Sequence, residues 1–251
     1  MVLCQEYWRG CQVDISIHLT EYRPMQIIAF GDIHMATAAA AVIPGIKDAD
    51  LLLLNGDLTN YGGAAEVKKV LDDIMRINPR VLAQFGNLDK TEVNEYLEKL
   101  AINLHGQARL VQGEVCLIGV GGSNFTPFHT PSEMPEKELL HLADRAFRQG
   151  LDYVSLAQPL HKRKIPQILL SHVPPFNTRV DTLRNGRHVG SKAIRTIIEQ
   201  YQPELCITGH IHEAKGHDMI GKTPVYNHGM LRQGGWIHIN IQQSQLTITL
   251  S

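Results

Sequence analysis

Residues 25–34 read MQIIAFGDIH and residues 50–57 read DLLLLNGD. Each is an apolar run that stops at a Gly and hands over to an aspartate. Short apolar runs bounded by turn residues fit strands buried on both faces. The same event recurs at Gly86-Asn87-Leu88-Asp89, Ser171-His172 and Gly209-His210-Ile211-His212, after apolar runs at 80–85, 167–170 and 205–208. Between the first runs, Thr37 to Ile43 is Ala-rich, and Ala64–Ile77 sets Val67, Val70, Leu71, Ile74 and Met75 on one helical face. Thr91 can cap a further helix carrying Val93, Leu97 and Leu100. Strand–helix–strand alternation argues for right-handed crossovers and a largely parallel sheet.

The rest of the chain changes character. Runs at 108–111 and 114–120 flank Gln112-Gly113 as a hairpin. Residues 121–128 form a loop, 135–149 a helix that starts on Pro135, and 191–201 another helix. Runs at 218–220 and 224–226 flank Gly221-Lys222, and 236–241 with 245–250 alternate in period two as a final hairpin. A parallel first half and an antiparallel second half suggest two packed sheets with helices outside. Residues 1–24 show no clear period and no helix start. The fold is expected to begin at Met25, making 1–24 an extension or a non-native start and 25–251 a single domain; an edge strand at 13–19 is the alternative.

Bulk composition narrows the class. The chain has 251 residues, 43% hydrophobic and 20% charged, enough for a substantial core. A formal net charge of −1 gives no basic footprint, so nucleic acid is not an expected partner. No run reaches the ~20 apolar residues of a membrane span, and no signal-peptide core opens the chain. Cys4, Cys11, Cys116 and Cys206 form no CxxC pair, and the last two sit in apolar runs as buried free thiols. A cytoplasmic location is expected.

The strand-end segments supply seven oxygen or imidazole-nitrogen donors: Asp32, His34, Asp57, Asn87, His172, His210 and His212. Singly, each has a bland reading: Asp after Gly is commonly a turn residue or cap, and a lone strand-end His is commonly structural. Together they are enough for two adjacent cations, because loops at the carboxyl ends of strands converge on one edge. Asp32 and His34 can both face that edge if the backbone leaves the extended conformation. A carboxylate at Asp57 can bridge two ions. Mixed carboxylate, amide and imidazole donors suit Mn, Fe, Zn or Ni better than Ca or Mg. Two such ions a few ångströms apart activate a bridging hydroxide and neutralise phosphate oxygens, which is chemistry for phosphate-ester hydrolysis.

The order of these segments resembles the calcineurin-like metallophosphoesterase superfamily, with its signature DxH…GD…GNHD/E…H…GHxH. That resemblance implies an α/β fold, a four-layer α/β/β/α sandwich of two mixed β-sheets flanked by helices. It implies one metal on Asp32, His34, Asp57 and His212 and a second on Asp57, Asn87, His172 and His210. Asp57, Asn87 and His210 become the candidate catalytic residues. The segments at 121–128, 172–175, 190–195 and 209–213 further resemble the predicted phosphoesterases related to the Icc protein. Asn227-His228-Gly229 departs from the Asn-Pro-Gly expected there; a surface turn is the simpler reading, an approach of His228 to the metal edge the other.

A second departure bears on chemistry. Where the signature has the His that protonates the leaving oxygen or steadies the phosphate, this chain has Leu88, which offers no proton. Either the substrate needs less acid help, or another group such as His188, His129 or a metal-bound water supplies it, or catalysis is lost and the site is a scaffold for protein partners. The complete donor set argues against the last. Asp89 is read as an acceptor from a ligand His or as a helix cap. Asn60, Asn124, Arg179 and His188 are candidate substrate contacts, and the loop from Phe176 to Lys192 is basic. Phe125, Phe128 and Phe176 are loop anchors or a platform for a nucleobase. The expected activity is phosphodiester hydrolysis of a small phosphate ester, a nucleotide being one candidate, by a metal-bridging hydroxide. A nucleotide or lipid-linked pyrophosphatase is the alternative enzyme. Oligomeric state is left open.

Overall fold

The four leucines at 51–54 are all buried because the strand they form is covered on both faces. Leu52 and Leu54 pack with Ile28, Phe30, Val67, Val70 and Leu71 beneath the helices that follow. Leu51 and Leu53 pack instead with Ile27, Ala29, Leu117, Ile168 and Ile239. Period-two side-chain alternation thus splits one apolar run between two cores.

The computed structural model describes residues 23–161 and 163–251. The 13–19 candidate strand, Cys4 and Cys11 lie outside the described residues. In chain order the strands are β1 (Met25–Phe30), β2 (Leu51–Asn55), β3 (Val81–Gln84), β4 (Ala108–Val111), β5 (Val115–Val120), β6 (Gln167–Ser171), β7 (Leu205–Thr208), β8 (Gly216–Ile220), β9 (Thr223–Asn227), β10 (Ile237–Gln242) and β11 (Gln245–Leu250). The helices are α1 (Ala64–Ile77), α2 (Thr91–Lys99), α3 (Glu136–Ala157) and α4 (Lys192–Tyr201).

One sheet runs β11-β10-β1-β2-β3 and the other β4-β5-β6-β7-β9-β8. β1, β2 and β3 are parallel, with Ile27 opposite Leu51 and Leu52 opposite Val81. The final hairpin closes this sheet, β10 lying antiparallel to β1 with Met25 opposite Ile241. Three apolar clusters give the layers: one under α1 and α2, one between the sheets, and one under α3 and α4. The expected four-layer α/β/β/α sandwich of mixed sheets is therefore the observed architecture.

Three local expectations need correction. The second half is not mainly antiparallel: β5, β6, β7 and β9 pair in parallel, and only the edge strands β4 and β8 oppose them. β5, β6 and β7 are buried on both faces and joined through α3 and α4, which is the setting of parallel pairing. Helix α3 runs to Ala157 rather than stopping before Gly150. That glycine lets the helix approach β5: a Cβ there would lie 3.2 Å from Cys116 Sγ and 3.3 Å from Ile118. Thr91 is the first residue of α2 rather than its cap; Lys90 holds that position without a side-chain bond. Cys116 and Cys206 are buried free thiols, as expected. Among the described residues, no helix is long and apolar enough to cross a membrane.

Leu53 is wholly buried between the sheets, whereas Val42 is 80% exposed. Leu53→Ala is expected to lower unfolding free energy by about 2–5 kcal/mol, and Val42→Ala by under about 0.5 kcal/mol, as measured by denaturant titration.

Candidate metal centre

The carboxyl ends of β1, β2, β3, β6 and β7 lead into the five donor segments. The chain leaves the extended conformation sharply at four of the seven donors. Asp32, His34, Asp57 and His210 adopt left-handed backbone, with φ of 48°, 47°, 47° and 65°. Such residues are strained, by about 1 kcal/mol or more each, and persist where neighbours fix them. Here Asp32 N–H donates to Gly56 O at 2.9 Å, and His34 N–H to Asp57 O at 2.9 Å. Glycine is required where two loops touch. A Cβ on Gly86 would stand 2.1 Å from Asp57 N, and one on Gly209 2.4 Å from Asp32 Oδ2.

The loops gather two donor groups, Asp32 with His34 and His212, and Asp57 with His172 and His210. Within each, the donor atoms lie within 4.8 Å of one another. His212 Nε2 is 3.0 Å from Asp32 Oδ1 and 3.3 Å from His34 Nε2. Asp57 joins the groups: its Oδ2 is 4.0 Å from His34 Nε2 and its Oδ1 3.5 Å from His172 Nε2. Asn87 Oδ1 completes the second group at 3.1 Å from His172 Nε2. All seven sequence-predicted donors are brought together.

The surrounding bonds aim these donors. His172 Nδ1–H donates to Asn55 O at 2.8 Å, which leaves Nε2 facing the carboxylate. Asn87 Nδ2 donates to Thr130 Oγ1 at 2.9 Å, and Thr130 donates on to Glu133 at 2.7 Å, so the amide oxygen turns inward. Leu88 N–H donates to Asp57 Oδ1 at 2.8 Å. Asp89 does not accept from a ligand His and does not cap a helix. It is fully buried and takes Leu58 N–H, Thr59 N–H, the Thr59 hydroxyl and Gly86 N–H, tying the loop after β2 to the loop after β3. With His34 and His172 donating through Nδ1, and once His172 has lost its second proton, their Nε2 atoms converge with the Asp32, Asp57 and Asn87 oxygens as acceptors. Converging acceptors without donors fit divalent cations.

Protonation shows the same field. Burial pushes the Asp32 and Asp57 carboxyls up, but neighbouring imidazoles outweigh it and hold both below the usual range: His212 and His172 for Asp32, chiefly His172 for Asp57. Burial alone would lower His172; the Asp57 and Asp32 charges reverse this and push it up to about 9. His210 is pushed down to about 4 by burial and by His172. Asp89 is pushed up to about 6 by burial and by Asp57.

The residues expected around the substrate separate. Asn60 belongs to the metal centre's support: its Oδ1 accepts from His34 Nδ1–H at 2.9 Å and its Nδ2 donates to His34 O at 3.2 Å. Asn124 is half-buried at the start of the loop that carries Thr130. Arg179 is exposed, and its backbone N–H donates to Asp218. His188 donates through Nδ1 to the buried Asp181 at 2.7 Å, and its ring meets Phe176 edge-on. No hydrogen bond or ion pair ties Asn124, Arg179 or His188 to the seven donors among the described residues. His228 is not on a surface turn. It is fully buried, 3.8 Å from Asp32 Oδ2, with Nδ1–H on Gly229 O and Nε2 accepting from Asn55 Nδ2 at 3.2 Å. Thr130 and Glu133 carried no motif, so no signal in one sequence could have found them.

Because His172 holds a proton up to about pH 9 and must lose it to bind a cation, metal uptake at pH 8 is expected to release about one proton. Affinity should rise as pH rises towards 9. Titration calorimetry in buffers of different ionisation enthalpy measures this; a buffer-independent heat would contradict it.

Comparison with known proteins bears on the same residues. The family model described as calcineurin-like phosphoesterase matches residues 25–214. The chain is 34% identical over 208 residues to the uncharacterized protein MJ1162 of Methanocaldococcus jannaschii, covering 81% of this chain and 87% of that one. Its fold is similar to that of TT1561 of Thermus thermophilus, with TM-score 0.63 and 18% identity, covering 90% of this chain and 99% of that chain. It is also similar to a dimetal phosphatase from Danio rerio, with TM-score 0.56 and 10% identity over 90% of this chain and 96% of that chain. A family match that spans the DxH, GD, GNxD, His and GHxH segments decides the question: the chain belongs to the calcineurin-like phosphoesterase family.

Proposed function

We propose that this chain is a dinuclear-metal phosphoesterase that favours phosphodiesters over monoesters. The observation that carries the reading is Asp57, whose two oxygens face different donor groups. Asp32, His34, Asp57 and His212 would hold one divalent cation, and Asp57, Asn87, His172 and His210 the other. When bound, such a pair supplies an activated water and neutralises phosphate oxygens. Mn, Fe, Zn or Ni suits the donor set.

The chain's own residues do the positioning. Asp57, anchored by Leu88 N–H, fixes the spacing of the two groups. Asn55 and Asn60 orient His172 and His34 through their far ring nitrogens. Asn87, turned inward by Thr130, presents an amide oxygen where the phosphate would lie. Leu88 gives a backbone N–H to this network and nothing from its side chain. A leaving oxygen here receives no proton from position 88. That favours esters with weakly basic leaving groups, since general acid help contributes about 10²–10⁴-fold where it is present. The reducing cytoplasm suits the buried thiols Cys116 and Cys206.

With Mn, Fe, Zn, Co or Ni supplied, turnover of bis(p-nitrophenyl) phosphate is expected to exceed that of p-nitrophenyl phosphate. Asp57→Ala should abolish both activities and the two-ion stoichiometry; unchanged rates would refute the assignment. Leu88→His should raise monoesterase relative to diesterase activity by about tenfold or more. A proportional fall in both would contradict the role given to Leu88.

A further inference from the structure

Strand β9 ends at the metal edge without supplying a donor. It lies parallel to β7 with Asn227 opposite Thr208, so the next residue, His228, enters the same edge. The His228 backbone N–H donates to Thr208 O at 3.1 Å, a bond that a proline at this position could not make. Its side chain is wholly buried, as are those of Asn55, Gln84 and Ser171 around it.

The neighbours fix the tautomer of this ring. Gly229 O, 2.6 Å from Nδ1, can only accept, so Nδ1 carries the hydrogen. Nε2 is then the acceptor for Asn55 Nδ2 at 3.2 Å. The Asn55 amide is itself oriented, because its Oδ1 accepts from Gln84 Nε2 at 2.8 Å and its Nδ2 also donates to Ser171 O at 3.3 Å. Asn55 is the residue whose carbonyl takes the His172 Nδ1–H, and it stands two residues before Asp57. The other edge of the ring meets the remaining loops. A Cβ on Gly31 would stand 3.0 Å from His228 Cε1, and one on Gly209 2.6 Å from it. The ring is thus packed against the residues that precede Asp32 and His210. Asp32 Oδ2, 3.8 Å from His228 Nδ1, accepts the His210 N–H at 3.0 Å. Donors of both groups therefore meet on one side chain, directly at Asp32 and His210 and through Asn55 at His172.

We infer that, given the dinuclear centre proposed above, His228 is its positioning residue. By accepting from Asn55 and by filling the gap behind Asp32 and Gly209, it holds the two donor groups at the spacing that lets Asp57 serve both. Both ring nitrogens are taken, so His228 supplies no ligand atom and acts only through these neighbours. Without the Nε2 acceptor, a buried Asn55 N–H loses its partner, and the strand end that holds His172 and leads to Asp57 must rearrange.

Two variants separate the contacts. His228→Gln sets an amide oxygen near the Nε2 position and keeps an acceptor for Asn55. His228→Asn sets its amide near Nδ1, keeps a donor for Gly229 O and removes the acceptor. Mn is titrated into the full-length protein and followed by calorimetry and EPR. The wild type is expected to take two ions and show the spectrum of an exchange-coupled pair. In His228→Asn the weaker ion should bind about 10–100-fold less tightly and the coupled signal should be lost, whereas His228→Gln should stay within about threefold of the wild type and keep the signal. Equal losses in the two variants, or unchanged two-ion binding in His228→Asn, overturn the role. Nitrogen-15 NMR of the metal-free wild type tests the same bond without a substitution: the hydrogen is expected on His228 Nδ1, and a hydrogen on Nε2 overturns the role. A wild type that takes two coupled ions but cleaves no phosphodiester overturns the proposed activity and supports the dinuclear frame that His228 serves. A wild type that takes one ion overturns both.

Discussion

Asp57 is a carboxylate buried between two clusters of imidazoles, and the arrangement around it depends on keeping it there. One oxygen faces His172 and accepts the Leu88 N–H; the other faces His34. A carboxylate taken out of water is costly unless opposite charge and hydrogen bonds compensate. Here the compensation comes from three different strand ends. That requirement explains why β2 must end next to β3 in one sheet and face β6 of the other.

The loops are correspondingly intolerant. Gly86 and Gly209 exist as glycines because neighbouring loops approach closer than a Cβ allows. Asp89 gathers donors from the loops after β2 and β3, and burial with the nearby Asp57 pushes its own carboxyl up to about 6. Behind Asp32, His228 fills the space between Gly31 and Gly209, where both glycines face its ring. From His228 a polar chain continues through Asn55 to Gln84, which donates to carbonyls of Val120 and Leu170 in the other sheet. The metal centre and the seam between the sheets are therefore one hydrogen-bonded unit.

Much of this was legible in the residues themselves. Apolar runs ending in Gly-Asp or Gly-His announced strands buried on both faces and put the polar residues at one edge. Helix α1 and the hairpins were readable because period and turn residues agree there. What escaped depended on tertiary placement. Parallel pairing of β5, β6 and β7 follows from their burial by α3 and α4, which a local pattern does not report. His228 looked like a turn residue because it follows a strand and precedes a glycine; only the neighbouring loops bury it. Asn60, expected at the substrate, is bonded to His34, a contact between residues 26 positions apart that no local pattern reports. Thr130 and Glu133 act through Asn87, and no spacing rule connects them.

The chemistry proposed for this centre rests on two cations sharing Asp57. Anomalous diffraction from crystals grown with Mn, recorded above and below the Mn edge, tests that directly. Two peaks are expected, one beside Asp32, His34 and His212 and one beside Asn87, His172 and His210, with an Asp57 oxygen on each. A single peak, or two peaks that leave Asp57 on only one ion, would contradict the account.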